Sequence, residues 1–259
     1  MQLFNELKET DFNHYRIPHA SEKIRVINEL VINHFGPKFE VVTKERLQSK
    51  KNLVYHVILK PLEGSEINFI AKVFATGNFE IEQSLLEQCS EGKIKVPEII
   101  EARDGVMLLS YIKGELLVDR LNKLFEVELI DELAQWYFDF HSFQPLLKGD
   151  PRLRNFIVGF DGLYGFDFEE AAEGNWIIDI GGIASSLLDT DPINDSRKQA
   201  MVSQLLDKYL ELKGIERTIN VEQNYLDVIS NTLKQTAKRR ASVVLSDLAD
   251  KVKKNGLSM

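Results

Sequence analysis

The first clear pattern along the chain is a helical one. Residues 21–35, SEKIRVINELVINHF, place apolar side chains at helical spacing from Ile24 onward, with Ser21 as N-cap and Gly36-Pro37 as the stop. Three strand-like runs follow: Phe39–Thr43, the partly alternating Leu53–Leu59, and the strongly apolar Ile67–Phe74. Turn-rich linkers separate them, which predicts an antiparallel meander. A helix is expected from Asn78 to Ser90. Two more strands, Val96–Ala102 and Val106–Ile112, then fold back at Arg103-Asp104-Gly105.

After Lys113-Gly114 the pattern changes. Residues 126–143 read as an aromatic-rich helix. Short strands at Phe156–Val158 and Leu163–Phe166 come next, and from Asn175 the chain is mostly helical. Strands gathered in one part and helices in the other predict an α+β chain of two lobes, residues 1–112 and 113–259. The joint falls near Ser110–Gly114.

Composition narrows the class. At 259 residues with 44% hydrophobic positions the chain can bury a sizeable core. A net charge of −8 argues against a general nucleic-acid binder. No apolar run approaches the roughly 18 residues of a membrane span, and the opening MQLFNELKETDF lacks a signal peptide's apolar core. Cys89 is the single cysteine, so no internal disulfide or multi-cysteine zinc site is possible, and a reducing, cytoplasmic setting is expected. The five histidines are scattered without metal-ligand spacing.

The chemistry concentrates in Lys148-Gly-Asp-Pro-Arg-Leu-Arg-Asn155 and in Tyr164-Gly-Phe-Asp-Phe-Glu-Glu170. Phosphoryl transfer needs a group to orient or deprotonate a hydroxyl, and hard oxygens to hold Mg²⁺ against nucleotide phosphates. Asp150 suits the first task, Asn155 and Asp167 the second. Gly, Asp, Pro and Asn also collect in plain surface turns. Lys72 sits inside the apolar run INFIAKVF, where its charge needs a partner or an edge position. Glu82 shares a helical stripe with Phe79, Leu86 and Cys89 and would supply that partner. His141 lies on the stripe Ile130, Leu133, Ala134, Tyr137 and reads as a satisfied core histidine. Asp179 in WIIDIGG either caps a helix or braces the Asp150 loop. Lys234, Lys238, Arg239 and Arg240 form a basic cluster, which is either a solvated face or a contact for an anion.

Taken in order, strand lysine, helix glutamate, hinge, Gly-Asp-x4-Asn loop and Asp-Phe-Glu strand end resemble the protein-kinase-like superfamily, in its aminoglycoside-phosphotransferase and choline-kinase branch. The resemblance spans about residues 38–190. It implies an N-lobe with an antiparallel five-stranded sheet and one helix, a helical C-lobe, and ATP with Mg²⁺ in the cleft between. Residue by residue, it implies Asp150 as the catalytic aspartate, Asn155 and Asp167 as metal ligands, Lys72 as the phosphate-contacting lysine and Glu82 as its partner. Ser49 would meet phosphate, and the backbone of Ser110, Tyr111 and Ile112 would hold adenine. Asp179 would brace the catalytic loop. The branch usually reads His-Gly-Asp where this chain reads Lys148-Gly-Asp150, and the loop RLQSKKN lacks a protein kinase's glycines. The expected activity is phosphorylation of a hydroxyl on a small molecule, with Glu169, Glu170, Glu173, Asp189 and Asp191 placed to receive an amine-bearing one. The alternatives are an atypical protein or RNA-linked kinase of the RIO type, and a nucleotide-binding pseudokinase.

Overall fold

The computed structural model describes residues 20–49, 51–75 and 78–257. The chain divides into two compact units. The first takes residues up to Glu91 together with Val96–Ile112. The second takes Gly92–Lys95 and everything from Lys113.

The first unit opens with helix α1 (Ala20–Phe35), which stops where Gly36 turns to φ +83°. Strands β1 (Phe39–Leu47), β2 (Leu53–Pro61), β3 (Ile67–Val73), β4 (Ile99–Arg103) and β5 (Val106–Ser110) form one antiparallel sheet in the order β1-β2-β3-β5-β4. β2 shows why one face is buried: Leu53, Tyr55, Val57 and Leu59 alternate inward at a period of two. They pack with Val26, Ile27, Leu30 and Val31 of α1 in one apolar cluster. β1 runs four residues beyond its apolar start. Its continuation, Lys44-Glu45-Arg46, lies on the sheet's outer strand, where charge deters edge pairing. Helix α2 (Phe79–Glu91) buries Phe79, Glu82, Leu85, Leu86 and Cys89. With α1 and α2 the unit holds the two helices expected over residues 21–35 and 78–90.

The second unit begins with β6 (Gly114–Leu116), the short α3 (Leu117–Leu124) and α4 (Glu128–Phe143). After β7 (Leu146–Leu147), a 3-10 turn at Leu153–Asn155 leads into β8 (Phe156–Gly159) and β9 (Gly162–Gly165). β6, β8 and β9 pair antiparallel, and β10 (Ala172–Glu173) pairs with β7. Four helices complete it: α5 (Ile177–Leu188), α6 (Ser196–Lys213), α7 (Ile219–Arg240) and α8 (Val243–Asn255). α4 packs on α6, and α7 packs on both α5 and α8. No described helix is long and apolar enough to cross a membrane.

Candidate functional site

Helix α5 is the bed on which the Asp150 loop lies. Its residues Asp179, Gly182 and Ser186, with Asp189 just past its end, follow one another at steps of three, four and three, so they share one face. Each meets a different part of the loop. Asp179 Oδ2 accepts the Lys148 amide at 2.6 Å. Gly182 leaves room for Pro151, whose Cγ would stand 2.2 Å from any Cβ added there. Ser186 Oγ accepts the Leu153 amide at 3.2 Å, and Asp189 stands 3.9 Å from the Arg152 guanidinium.

The loop itself turns sharply. Gly149 has φ +69° and packs so close to Glu170 that a Cβ would fall 2.1 Å from its carbonyl oxygen. Asp150 follows at φ +33°, out of the right-handed region that Pro151 denies it. Asn155 Nδ2 donates back to both the Asp150 carbonyl, at 3.0 Å, and Asp150 Oδ2, at 3.1 Å. The carboxamide oxygen then lies on the other side of the group, as a hard ligand for a cation. The Phe166 amide donates to the Asn155 carbonyl at 3.0 Å, which ties the end of β9 to the loop and brings Asp167, at φ +66°, next to it. Asn155 and Asp167 offer an all-oxygen donor set of the kind Mg²⁺ or Ca²⁺ takes. Burial pushes the Asp150 carboxyl up. The Arg152 charge, hydrogen bonds from Asn155 and Arg152, and the Arg154 charge outweigh that and hold it below the ordinary aspartate value.

Lys148 is fully buried. Its Nζ donates to the Asp167 carbonyl at 3.0 Å and lies 5.0 Å from the Phe168 ring centroid and 5.5 Å from that of Phe156. Its charge is thus held by a carbonyl dipole and two aromatic faces, and it fixes the backbone of Asp167. Asp179 also receives His141 Nε2 at 3.1 Å, while His141 Nδ1 meets Tyr209 Oη at 2.8 Å. A carboxylate only accepts, so Nε2 carries the proton and Tyr209 donates to Nδ1. Burial, and then the Asp179 charge, raise the Tyr209 hydroxyl well above its ordinary value, which keeps it a donor. His141 is a satisfied buried histidine, and Asp179 braces the loop; the N-cap of α5 is Trp176.

In the first unit Lys72 lies on β3, between β2 and β5, opposite Val54 and Met107. It is therefore on an inner strand. Its Nζ reaches Glu82 Oε1 at 2.9 Å and Oε2 at 2.7 Å, with the two side chains 8% and 2% exposed. Among the expected adenine-holding residues, the Ser110 amide is already engaged with the Glu98 carbonyl at 2.8 Å, and Ser110 Oγ accepts the Glu98 amide at 2.9 Å. The Ser110 amide thus closes the end of the β4–β5 pair. The Tyr111 ring stacks on His56 with centroids 4.1 Å apart. Ile112 follows as the last residue of the unit. Ser49 Oγ accepts the Asn52 amide at 3.2 Å in the turn before β2.

Arginines to which the sequence pattern gave no role surround Asp150. Arg152 Nε lies 3.0 Å and Arg154 Nη2 3.7 Å from its carboxylate. Asp189, expected to face an amine, is buried and bound instead by arginines: Arg240 Nη2 stands 3.5 Å from its carboxylate, and Arg240 Nη1 donates to its carbonyl at 3.0 Å. The basic cluster of α7 splits accordingly. Lys234 pairs with Asp250 at 2.8 Å, while Arg240 turns to Asp189. Arg-x-Arg directly after Asp-Pro was a signal for this in the sequence. Tyr209 carried none.

No family model matches the chain, and no curated protein does. Among solved structures it is similar to amicoumacin kinase hAmiN in complex with AMP-PNP, Ca²⁺ and Ami, with a TM-score of 0.59 over 91% of this chain and 96% of that one, at 13% identity. Identity this low speaks to architecture, and the architecture is clear: an α+β chain with the protein-kinase-like fold.

Proposed function

We propose that the chain is an ATP- and Mg²⁺-dependent phosphotransferase that phosphorylates a hydroxyl of a small molecule. The observation that carries this is the closed loop in which Asn155 holds Asp150 while its backbone receives the strand end leading to Asp167. The loop gathers an orienting carboxylate and two hard cation ligands within one hydrogen-bonded unit. In this reading Asn155 and Asp167 hold the cation, which neutralises phosphate charge when bound. Lys72, set by Glu82, contacts nucleotide phosphates, and the backbone of Tyr111 and Ile112 receives adenine. Asp150 is a weak base because the arginines depress its carboxyl. Its task is to accept and aim the acceptor's hydroxyl proton, which suits a loose transition state that asks for positioning more than for full deprotonation. Buried Lys148 supports the Asp167 backbone, so its presence in place of histidine is a change of anchor and does not favour a pseudokinase. The fold likeness to a kinase solved with AMP-PNP and a divalent cation supports the same reading.

The test is ATP consumption with Mg²⁺ and a library of hydroxyl compounds, for the parent, Asp150→Ala and Asp167→Ala. Each variant should lose about 10²- to 10⁴-fold in rate while remaining folded under the assay conditions. Equal rates in all three would sink the reading.

A further inference from the structure

We infer that the acceptor carries an oxyanion, a carboxylate or phosphate, beside the hydroxyl that is phosphorylated. This rests on the function proposed above and names its substrate class. Arg152 and Arg154 flank the Asp150 carboxylate at 3.0 and 3.7 Å. Arg152 and Arg240 converge on buried Asp189 at 3.9 and 3.5 Å. Arg239, next to Arg240 at the end of α7, completes the group. Four guanidiniums therefore stand against two carboxylates, in a chain whose net charge is −8. The usual account of such residues is that they compensate the negative end of a helix. That account covers Arg239 and Arg240 but not Arg152 and Arg154, which lie in the loop.

The excess charge is felt inside the cluster. Desolvation, and then repulsion from Arg152, Arg240 and Arg154, hold Arg239 below the ordinary arginine value, with Asp150 the carboxylate that opposes them. Arg154 and Arg239 are exposed, so an arriving anion can reach them. A planar fork of donors matches a carboxylate or phosphate in a bidentate pair. A cationic amine at the same place would meet an excess of positive charge. The location next to Asp150 puts the anion's recognition and the hydroxyl's activation on one small molecule.

The probe is inorganic phosphate, titrated by calorimetry into the parent, Arg154→Gln and Arg239→Gln, each with and without saturating AMP-PNP and Mg²⁺. The expected result is phosphate binding that survives nucleotide and weakens about tenfold or more in either variant, while AMP-PNP affinity is unchanged. Phosphate binding that vanishes on adding nucleotide, with weaker AMP-PNP binding in the variants, would assign the arginines to the nucleotide and overturn the inference. So would equal phosphate affinity in all three proteins. A second arm compares initial rates of ATP consumption on glucose, glucosamine, glucuronate and glucose 6-phosphate, or on any matched set built around a hit from the library. Faster turnover of the amine than of the anions refutes the inference. Absence of AMP-PNP binding refutes the kinase reading instead, and phosphate titration of the nucleotide-free protein still reads the arginines.

Discussion

Asp179→Ala removes the acceptor of two buried donors, the Lys148 amide at 2.6 Å and His141 Nε2 at 3.1 Å. A hydrogen bond to a charged group contributes about 1.5–3 kcal/mol, so the two together are worth about 3–6 kcal/mol. The carboxylate is only 1% exposed, and deleting it recovers part of its own burial cost. The net loss should be about 2–4 kcal/mol. Asp179→Asn keeps one acceptor oxygen and should lose about half as much. Urea unfolding followed by tryptophan fluorescence reads this directly, because Trp136 and Trp176, the chain's two tryptophans, both belong to the second unit. With a slope of about 2 kcal/mol per molar, the Asp179→Ala midpoint should fall by about 1–2 M. A midpoint within about 0.3 M of the parent at an unchanged slope would refute the role of Asp179 as the loop's brace.

Gly149→Ala combines a left-handed backbone with a Cβ pressed to 2.1 Å from the Glu170 carbonyl. It should lower the thermal midpoint and abolish turnover, and a well-folded variant with parental rates would contradict the close approach. Asp150 is held below the ordinary aspartate value, so its charged form adds stability above that value, lost as pH falls through the folded pKa. Activity that needs the carboxylate should persist to correspondingly low pH. Arg152→Ala removes one charge and one hydrogen bond that lower the carboxyl, so the acidic limb of the kcat/KM profile should move to higher pH; superimposable limbs would show that Arg152 does not set it.

Much of this was legible in the residues because the strongest signals are local. Alternation in Leu53–Leu59 and the stripe through Phe79, Glu82, Leu86 and Cys89 place β2 and α2 directly. Lys72 and Glu82 were paired by the cost of burying either alone, and the structure joins them. Three kinds of feature were hidden. β6 and α3 follow a change of direction with no turn residue beyond Gly114, in a segment too short for a periodic pattern. The role of Ser110 depends on Glu98, which only the register of β4 against β5 brings near. The stripe Asp179, Gly182, Ser186, Asp189 was present at helical spacing, yet its members are small or polar residues in an apolar run. What they bind lies in a loop some 30 residues earlier, and long-range complementarity has no local signature.

The loop's anchors also set an order in which the molecule can be completed. Asp150 lies in the middle of the chain, but the carboxylate that holds its loop is at position 179. The histidine on that carboxylate is fixed by Tyr209, and Asp189 takes its guanidinium from Arg240. During synthesis from the N-terminus, strands and loop emerge long before these anchors do. The nascent chain therefore passes through a long stretch in which every residue of the candidate site has been made and its geometry has not. Truncation after Asp167 but before Tyr209 would leave the full set of site residues on a chain unable to arrange them.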